Sequence, residues 1–260
     1  TYEIATCVMY KDGGSGDRPV FAPMQADVLR VNDDITVTTQ LHAFHGPGVF
    51  GKHIVRQAFF ALSQKTDGFT YFTLPHSPIA PNPNDWRDTI SDLTKRLTTP
   101  YGNLFLASDR GYKKVAVYAS RTTDYLASQK PLVPHTACEG LWVACVRAGY
   151  PADFLYDEHV LAGRAKDYDV IFFPGVHFRS ELPPELLKQL KAFVNAGKLL
   201  IVEKGSKLPI EGIVHADSTF DEYDSKSKAF PRYIDFESEY VWDQSNGLTQ
   251  TVKEVLGKHR

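Results

Sequence analysis

Neither an excess of charge nor a long apolar run is found in this sequence. Across 260 residues, 29 Lys and Arg stand against 31 Asp and Glu, a formal charge of −2. That balance gives no electrostatic footing for nucleic acid or an anionic membrane surface. No apolar stretch approaches the ~20 residues that a spanning helix needs. The opening TYEIATCVMY lacks a basic segment followed by an apolar one, so no secretory signal is expected in it, and it lacks an initiator Met. Cysteine is scarce: Cys7, Cys138 and Cys145 are odd in number and show no metal-ligand spacing. Cys138 and Cys145 fall seven apart on an expected helix, two turns apart on one face. Their Cα atoms would be about 10 Å apart, beyond disulfide reach, so buried free thiols are expected. These features leave the compartment open. What is present is core material, 43 % hydrophobic and 12 % aromatic, which excludes global disorder.

The two halves differ in pattern. Within residues 1–100, DITVTTQLHAF (34–44) and GFTYFTL (68–74) are β-like runs flanking the helical segment GKHIVRQAFFALSQK (51–65). Ile54, Val55, Ala58, Phe59 and Leu62 recur at the spacing of one apolar helix face, which makes a βαβ unit. A proline-rich loop, LPHSPIAPNPNDW, leads to the helix DWRDTISDLTKRL, with Asp85 placed to cap it. The second half is more regular. KKVAVYAS (113–120), ADFLYDEHV, DYDVIFFPG (167–175) and KLLIVEKGS are strand runs. The helices TACEGLWVACVRAGY (136–150) and PPELLKQLKAFVNAG separate them. Thr136 and Glu139 have capping-box spacing, and Gly149 and Gly197 stand where helices stop. This alternation predicts a parallel doubly wound sheet over 112–215. Beyond it lies an acidic, aromatic stretch without period, expected to pack through Phe220, Tyr223, Phe230, Tyr233, Phe236 and Trp242. A last helix, LTQTVKEVLGKHR, follows.

In such a sheet ligands bind beyond the carboxyl ends of the strands, near the point where strand order reverses. Ser120-Arg121, Asp157-Glu158, Pro174-Gly175-Val176-His177 and Glu203-Lys204 should stand there. A nucleophile at the fourth strand end would need Cys or Ser on a strained turn with a His beside it. Glu203-Lys204-Gly205 holds neither, and the reading favoured for Glu203 and Lys204 is two unrelated solvated charges on opposite strand faces. His42 and His45 are three apart, a spacing that suits a metal on neither a strand nor a helix, so no metal and no cofactor is expected. GPG (46–48) and KDGGSGD (11–17) lack the glycine pattern of a phosphate loop.

The order of these segments resembles the β-galactosidases of glycoside hydrolase family 42. HGPGVFGKHIVRQAFFALSQKTDGFTYFTL (45–74) is similar to the last helix and strand of that family's (β/α)8 barrel. KKVAVYAS, EGLWVACVRAGYPADFL and DYDVIFFPGVHFRSELPPELLKQLKAFVNAGKLLIVEKGS are similar to the class I amidotransferase-like, flavodoxin-like domain that follows it, often called the trimerisation domain. The resemblance implies an α/β chain with partial-barrel elements in 1–108 and an amidotransferase-like domain in 109–260. It also implies a carboxy-terminal piece of a longer chain or a homo-oligomer. A retaining glycosidase needs two carboxylates about 5 Å apart. In the aligned seventh strand, ITVTTQLHAF, the strand end offers Gln40, His42 and His45, and no Glu. The expectation is therefore a structural or oligomerising role without a complete catalytic site. The alternative is an autonomous carbohydrate-active hydrolase or sugar-binding protein, resembling the trehalose-utilisation proteins, with its site at Gly175, His177 and Glu203. Carbohydrate contacts, if made, are expected from Asp27, Gln40, His42, His45 and His76, with Phe44 or Trp86 as an aromatic platform.

Overall fold

The computed structural model describes residues 4–8, 36–42, 54–55, 58–59, 61–62, 66–72, 85–108, 114–119, 138, 141–142, 144–146, 148–174, 182–217, 220 and 246–258. The chain divides near residue 111 into two compact α/β units. Both are built on parallel sheets.

The first unit holds strands β1 (Ile4–Val8), β2 (Thr36–His42) and β3 (Gly68–Phe72) in the order β1-β2-β3, all parallel. Sequential order with a helical crossover between β2 and β3 makes the βαβ unit expected from the sequence. The described residues of the crossover are helical and bury Ile54, Ala58 and Ala61. The expected face is corrected at one position. Phe59 is 53 % exposed, because the buried stripe runs 54-58-61 and turns Phe59 outward. Ile54 and Ala58 pack with Leu41 and Leu93. At the amino end of β3 the Thr66 hydroxyl donates to the Val37 carbonyl at 3.1 Å, and the Asp67 carboxylate accepts the Val37 N–H at 2.7 Å.

Helix α1 (Asp85–Leu93) begins at the residue expected to cap it. It runs into a π-helical turn, Thr94–Thr98, and then into α2 (Thr99–Ala107), an element the sequence pattern did not suggest. The π turn has a covalent cause. Pro100 has no N–H for the carbonyl one turn back, and the chain widens so that Thr99 N–H reaches the Thr94 carbonyl, five residues away. Thr94 and Thr98 also donate their hydroxyls to carbonyls four residues back, at 2.8 and 3.2 Å.

The second unit has five parallel strands: β4 (Val115–Tyr118), β5 (Ala152–Leu155), β6 (Val170–Phe173), β7 (Leu199–Val202) and β8 (Val214–His215). Their order is β5-β4-β6-β7-β8. All four residues of β4 and of β6 are buried, as both-face coverage requires. Ala116, Tyr118, Ile171, Phe173, Leu200 and Val202 point to one face. There they meet Val160 of α3 (Asp157–Leu161) and Leu186, Leu190 and Phe193 of α4 (Pro184–Asn195). The alternate residue Phe172 meets Phe220 edge to face on the other side. Trp142 stacks on Phe154 at 6.3 Å and donates its indole N–H to the Ala152 carbonyl at 3.0 Å.

The helix around 138–146 ends as expected at Gly149, which takes a left-handed φ of 84°. Gly149 N–H reaches the Val146 carbonyl and Tyr150 N–H the Cys145 carbonyl, closing a Schellman motif. The strand expected over ADFLYDEHV stops at Leu155, because Asp157 and Glu158 open α3. Their negative charge suits a helix amino terminus. A final helix, α5 (Asn246–Lys258), buries Leu248, Val252, Val255 and Leu256.

Candidate functional site

In the second unit the strand order reverses between β4 and β6, so their carboxyl ends define the position where a ligand would enter. The last residue of each strand is aromatic. Tyr118 and Phe173 stack with ring centroids 4.2 Å apart and planes 13° apart, and each is 1 % exposed. The Tyr118 hydroxyl donates to the Asp157 carboxylate at the start of α3. Two residues on, His159 Nδ1 accepts the Tyr156 backbone N–H at 3.0 Å, so in the neutral ring the proton resides on Nε2. The Tyr168 hydroxyl donates to Asp153 at 3.3 Å. Burial, and then the charge of Asp153, pushes the Tyr168 phenol far above its ordinary value. At the carboxyl end of the sheet the Tyr118 hydroxyl and the Asp157 carboxylate are thus engaged with each other beside the stacked rings, whereas the Tyr168–Asp153 pair lies at the amino end, next to the starts of β6 and β5.

Glu203 corrects the expectation of two solvated charges. It follows β7 directly and is 1 % exposed, and its carboxylate accepts the Phe220 N–H at 3.2 Å. Lys204 is exposed. Strand alternation distinguishes the two directions, but it does not give depth. Glu203 is covered because the chain returns from β8 to place Phe220 over Phe172. A turn closed by Ser206 N–H on the Glu203 carbonyl at 3.2 Å, with Gly205 at φ 83°, carries the chain away. The Ser206 hydroxyl is buried there without a hydrogen-bond partner among the described residues. A nearby carboxylate does not make a serine nucleophilic; a base oriented toward its hydroxyl does.

In the first unit Gln40 and His42 occupy β2, in register with Thr70 and Phe72 of β3, and Gln40 also with Val8 of β1. The strands read IATCV, TVTTQLH and GFTYF, without Asp or Glu. Asp27, Phe44, His45, His76, Gly175 and His177 lie outside the described residues, as do Ser120 and Arg121. Trp86 falls in α1. The structure thus brings Gln40 and His42 into one strand and sets Glu203 in the other unit. Among the described residues no group of three His, Cys, Asp or Glu could hold a metal ion, and no helix is long and apolar enough to cross a membrane. Cys138 and Cys145 are buried and form no disulfide with each other; the Cys138 thiol donates to the Tyr118 carbonyl at 3.6 Å, and burial drives the Cys145 thiol far above its ordinary value.

Sequence reasoning missed one feature of the first unit. A groove of about 300 Å³ lies between β3, the π turn and α2, lined among others by Tyr71, Thr94, Thr98, Gly102, Phe105 and Leu106. Burial raises the pKa of the Tyr71 phenol. Its signal in the sequence is LTTPYGNLFLAS (97–108), twelve residues without a charge.

Two solved structures share this fold. The β-galactosidase from the psychrophilic Marinomonas ef1 matches with a TM-score of 0.56 at 12 % identity, over 80 % of this chain and 38 % of its own. The apo exo-carrageenase GH42 from Bacteroides ovatus matches with a TM-score of 0.51 at 13 % identity, over 90 % of this chain and 32 % of its own. The chain spans about a third of the length of each. No protein-family model matches it, and no curated protein matches it in sequence.

Proposed function

We propose that this chain is a glycoside-hydrolase-associated α/β protein: closing elements of a barrel followed by an amidotransferase-like domain, with a structural or oligomerising role and no complete catalytic site of its own. The observation that carries the reading is the composition of the barrel-like strands. Glycoside hydrolysis needs a pair of carboxylates aimed at one bond, and β1, β2 and β3 contain none. Gln40, in the strand that resembles the family's nucleophile strand, has an amide that cannot attack an anomeric carbon and leave again.

The second unit supports the same reading. Counted within its sheet the strand order is 2-1-3-4-5, the flavodoxin-like order that amidotransferase-like domains share. Where such a sheet would carry a nucleophile after its fourth strand, this one carries Glu203, committed to the Phe220 N–H. Carbohydrate is the ligand class the resemblance favours, with Gln40 and His42 as the contacts within β2.

The test is hydrolysis of a panel of aryl glycosides by the chain, by Gln40→Glu and by variants of Glu203 and His177. The proposal expects no turnover from any of them. Turnover by the parent chain that falls in His177→Ala and Glu203→Gln, and not in Gln40→Ala, would establish the alternative, an autonomous hydrolase with its site at the end of the second sheet.

A further inference from the structure

The groove between β3, the π turn and α2 has polar groups of one chemical kind. The Thr66 hydroxyl gives its hydrogen to the Val37 and Gly68 carbonyls, at 3.1 and 3.0 Å. The Thr94 hydroxyl donates to the Ile90 carbonyl at 2.8 Å, and the Thr98 hydroxyl to the Thr94 carbonyl at 3.2 Å. All three threonines line the groove. A hydroxyl whose hydrogen is committed in this way has only oxygen lone pairs to offer a ligand. The half-buried Asp67 is part of the same lining. One of its carboxylate oxygens accepts the Val37 N–H, and a carboxylate has about four lone-pair sites in all. The groove therefore accepts hydrogen bonds and carries negative charge.

The rest of the lining suits the same kind of partner. Phe69, Tyr71 and Phe105 bring three aromatic rings to it, and aromatic faces attract a cation. Among the described residues no Lys, Arg or His lines the groove. Lys95 and Arg96 belong to the π turn and not to the lining, and Arg96 is paired with Asp92. Burial raises the pKa of the Tyr71 phenol, so it adds no second anion at neutral pH. On α2, a Cβ built at Gly102 meets nothing within 4 Å, so the hollow is open at that position. Its volume of about 300 Å³ is at the lower end of the range for small-molecule sites.

We infer that this groove binds a small organic ammonium, its apolar body against the aromatic rings and its protonated amine toward Asp67 and the threonine oxygens. Charge and donor inventory select this class. An anion would meet the Asp67 carboxylate with no cation in the lining to balance it. A neutral alcohol would forgo the charge-assisted hydrogen bond that an ammonium makes with a carboxylate. An ammonium brings only donors, which complements a lining whose threonine hydrogens are already committed.

The test is isothermal titration calorimetry of the full chain at neutral pH with three probes of one size: 2-phenylethylamine, 2-phenylethanol and phenylacetate. The amine should bind once per chain with a dissociation constant below ~10 mM, and the alcohol and the acid at least about tenfold more weakly. Asp67→Asn keeps an oxygen for the Val37 N–H and removes the charge. It should weaken the amine about tenfold and leave the alcohol unchanged. Gly102→Leu puts a side chain into the open hollow, where its Cβ meets no neighbour, and should abolish binding while the circular dichroism stays that of the parent. No heat from the amine up to ~50 mM would overturn the site. So would equal binding of the three probes, or amine binding that Gly102→Leu leaves intact.

Discussion

The Glu203 carboxylate and the Phe220 backbone N–H meet at 3.2 Å in the interior of the second unit, seventeen residues apart in sequence. Glu203 directly follows β7, and its hydrogen bond fastens the chain returning from β8. Removing it leaves a buried N–H unsatisfied. Glu203→Ala should therefore cost about 1.5–3 kcal/mol in urea denaturation, the range for hydrogen bonds to charged groups. Glu203→Gln, which keeps an acceptor, should cost clearly less. Equal losses would show that the Phe220 N–H does not depend on this side chain.

Tyr118 makes the equivalent test at the switch point. Tyr118→Phe keeps the ring on Phe173 and removes only the hydroxyl that Asp157 accepts. We expect a loss of about 1–3 kcal/mol with unchanged far-ultraviolet dichroism. Tyr118→Ala, which also empties a fully buried aromatic position, should cost about 3–5 kcal/mol.

Cysteine reactivity reads the same core without a stability measurement. In a Cys7→Ser chain, Cys138 and Cys145 are the remaining thiols, and both are buried. With the Cys145 pKa driven upward by burial, almost no thiolate exists at pH 8. Native protein should label with a thiol reagent only at the rate of unfolding, and denatured protein should label twice per chain. Rapid labelling of the native state would contradict this packing.

Alkaline pH should weaken the fold through Tyr168. Its folded pKa lies above the unfolded value near 10, because burial and Asp153 disfavour the phenolate. The unfolded chain therefore loses this proton first as pH rises. The contribution is complete below about pH 9 and is lost from pH 10 upward. Denaturation midpoints between pH 8 and 11 should fall more gently in Tyr168→Phe than in the parent.

The second unit was the more legible in sequence, for a physical reason. Val, Ile, Leu and Phe fill both faces of β6 and β7, Val, Ala and Tyr fill those of β4, and Pro184, Gly149 and Gly197 punctuate the helices, so each element signals itself locally. What escaped depended on depth or on distant partners. Glu203 reads as a solvated charge until Phe220 is placed over the sheet. α2 has no amphipathic pattern, since its apolar residues face outward and Pro100 sits at its start, and it was not expected. Asp157 and Glu158 followed the β-like run ADFLY closely enough to be taken into the strand, although two acids in a row also open a helix. Of the candidate site residues, Gln40 and His42 share β2, as the β-like run DITVTTQLHAF implied, and Glu203 follows β7, as the run KLLIVEKGS implied.

Hydrolysis of an aryl β-galactoside tests most directly the proposal that this chain carries no complete glycosidase site. The unaltered chain is incubated at ~100 µM and release of the aryl alcohol followed for hours against a buffer blank and heat-denatured protein. The expected release is indistinguishable from both controls. Steady release that scales with protein concentration and disappears on denaturation would contradict it.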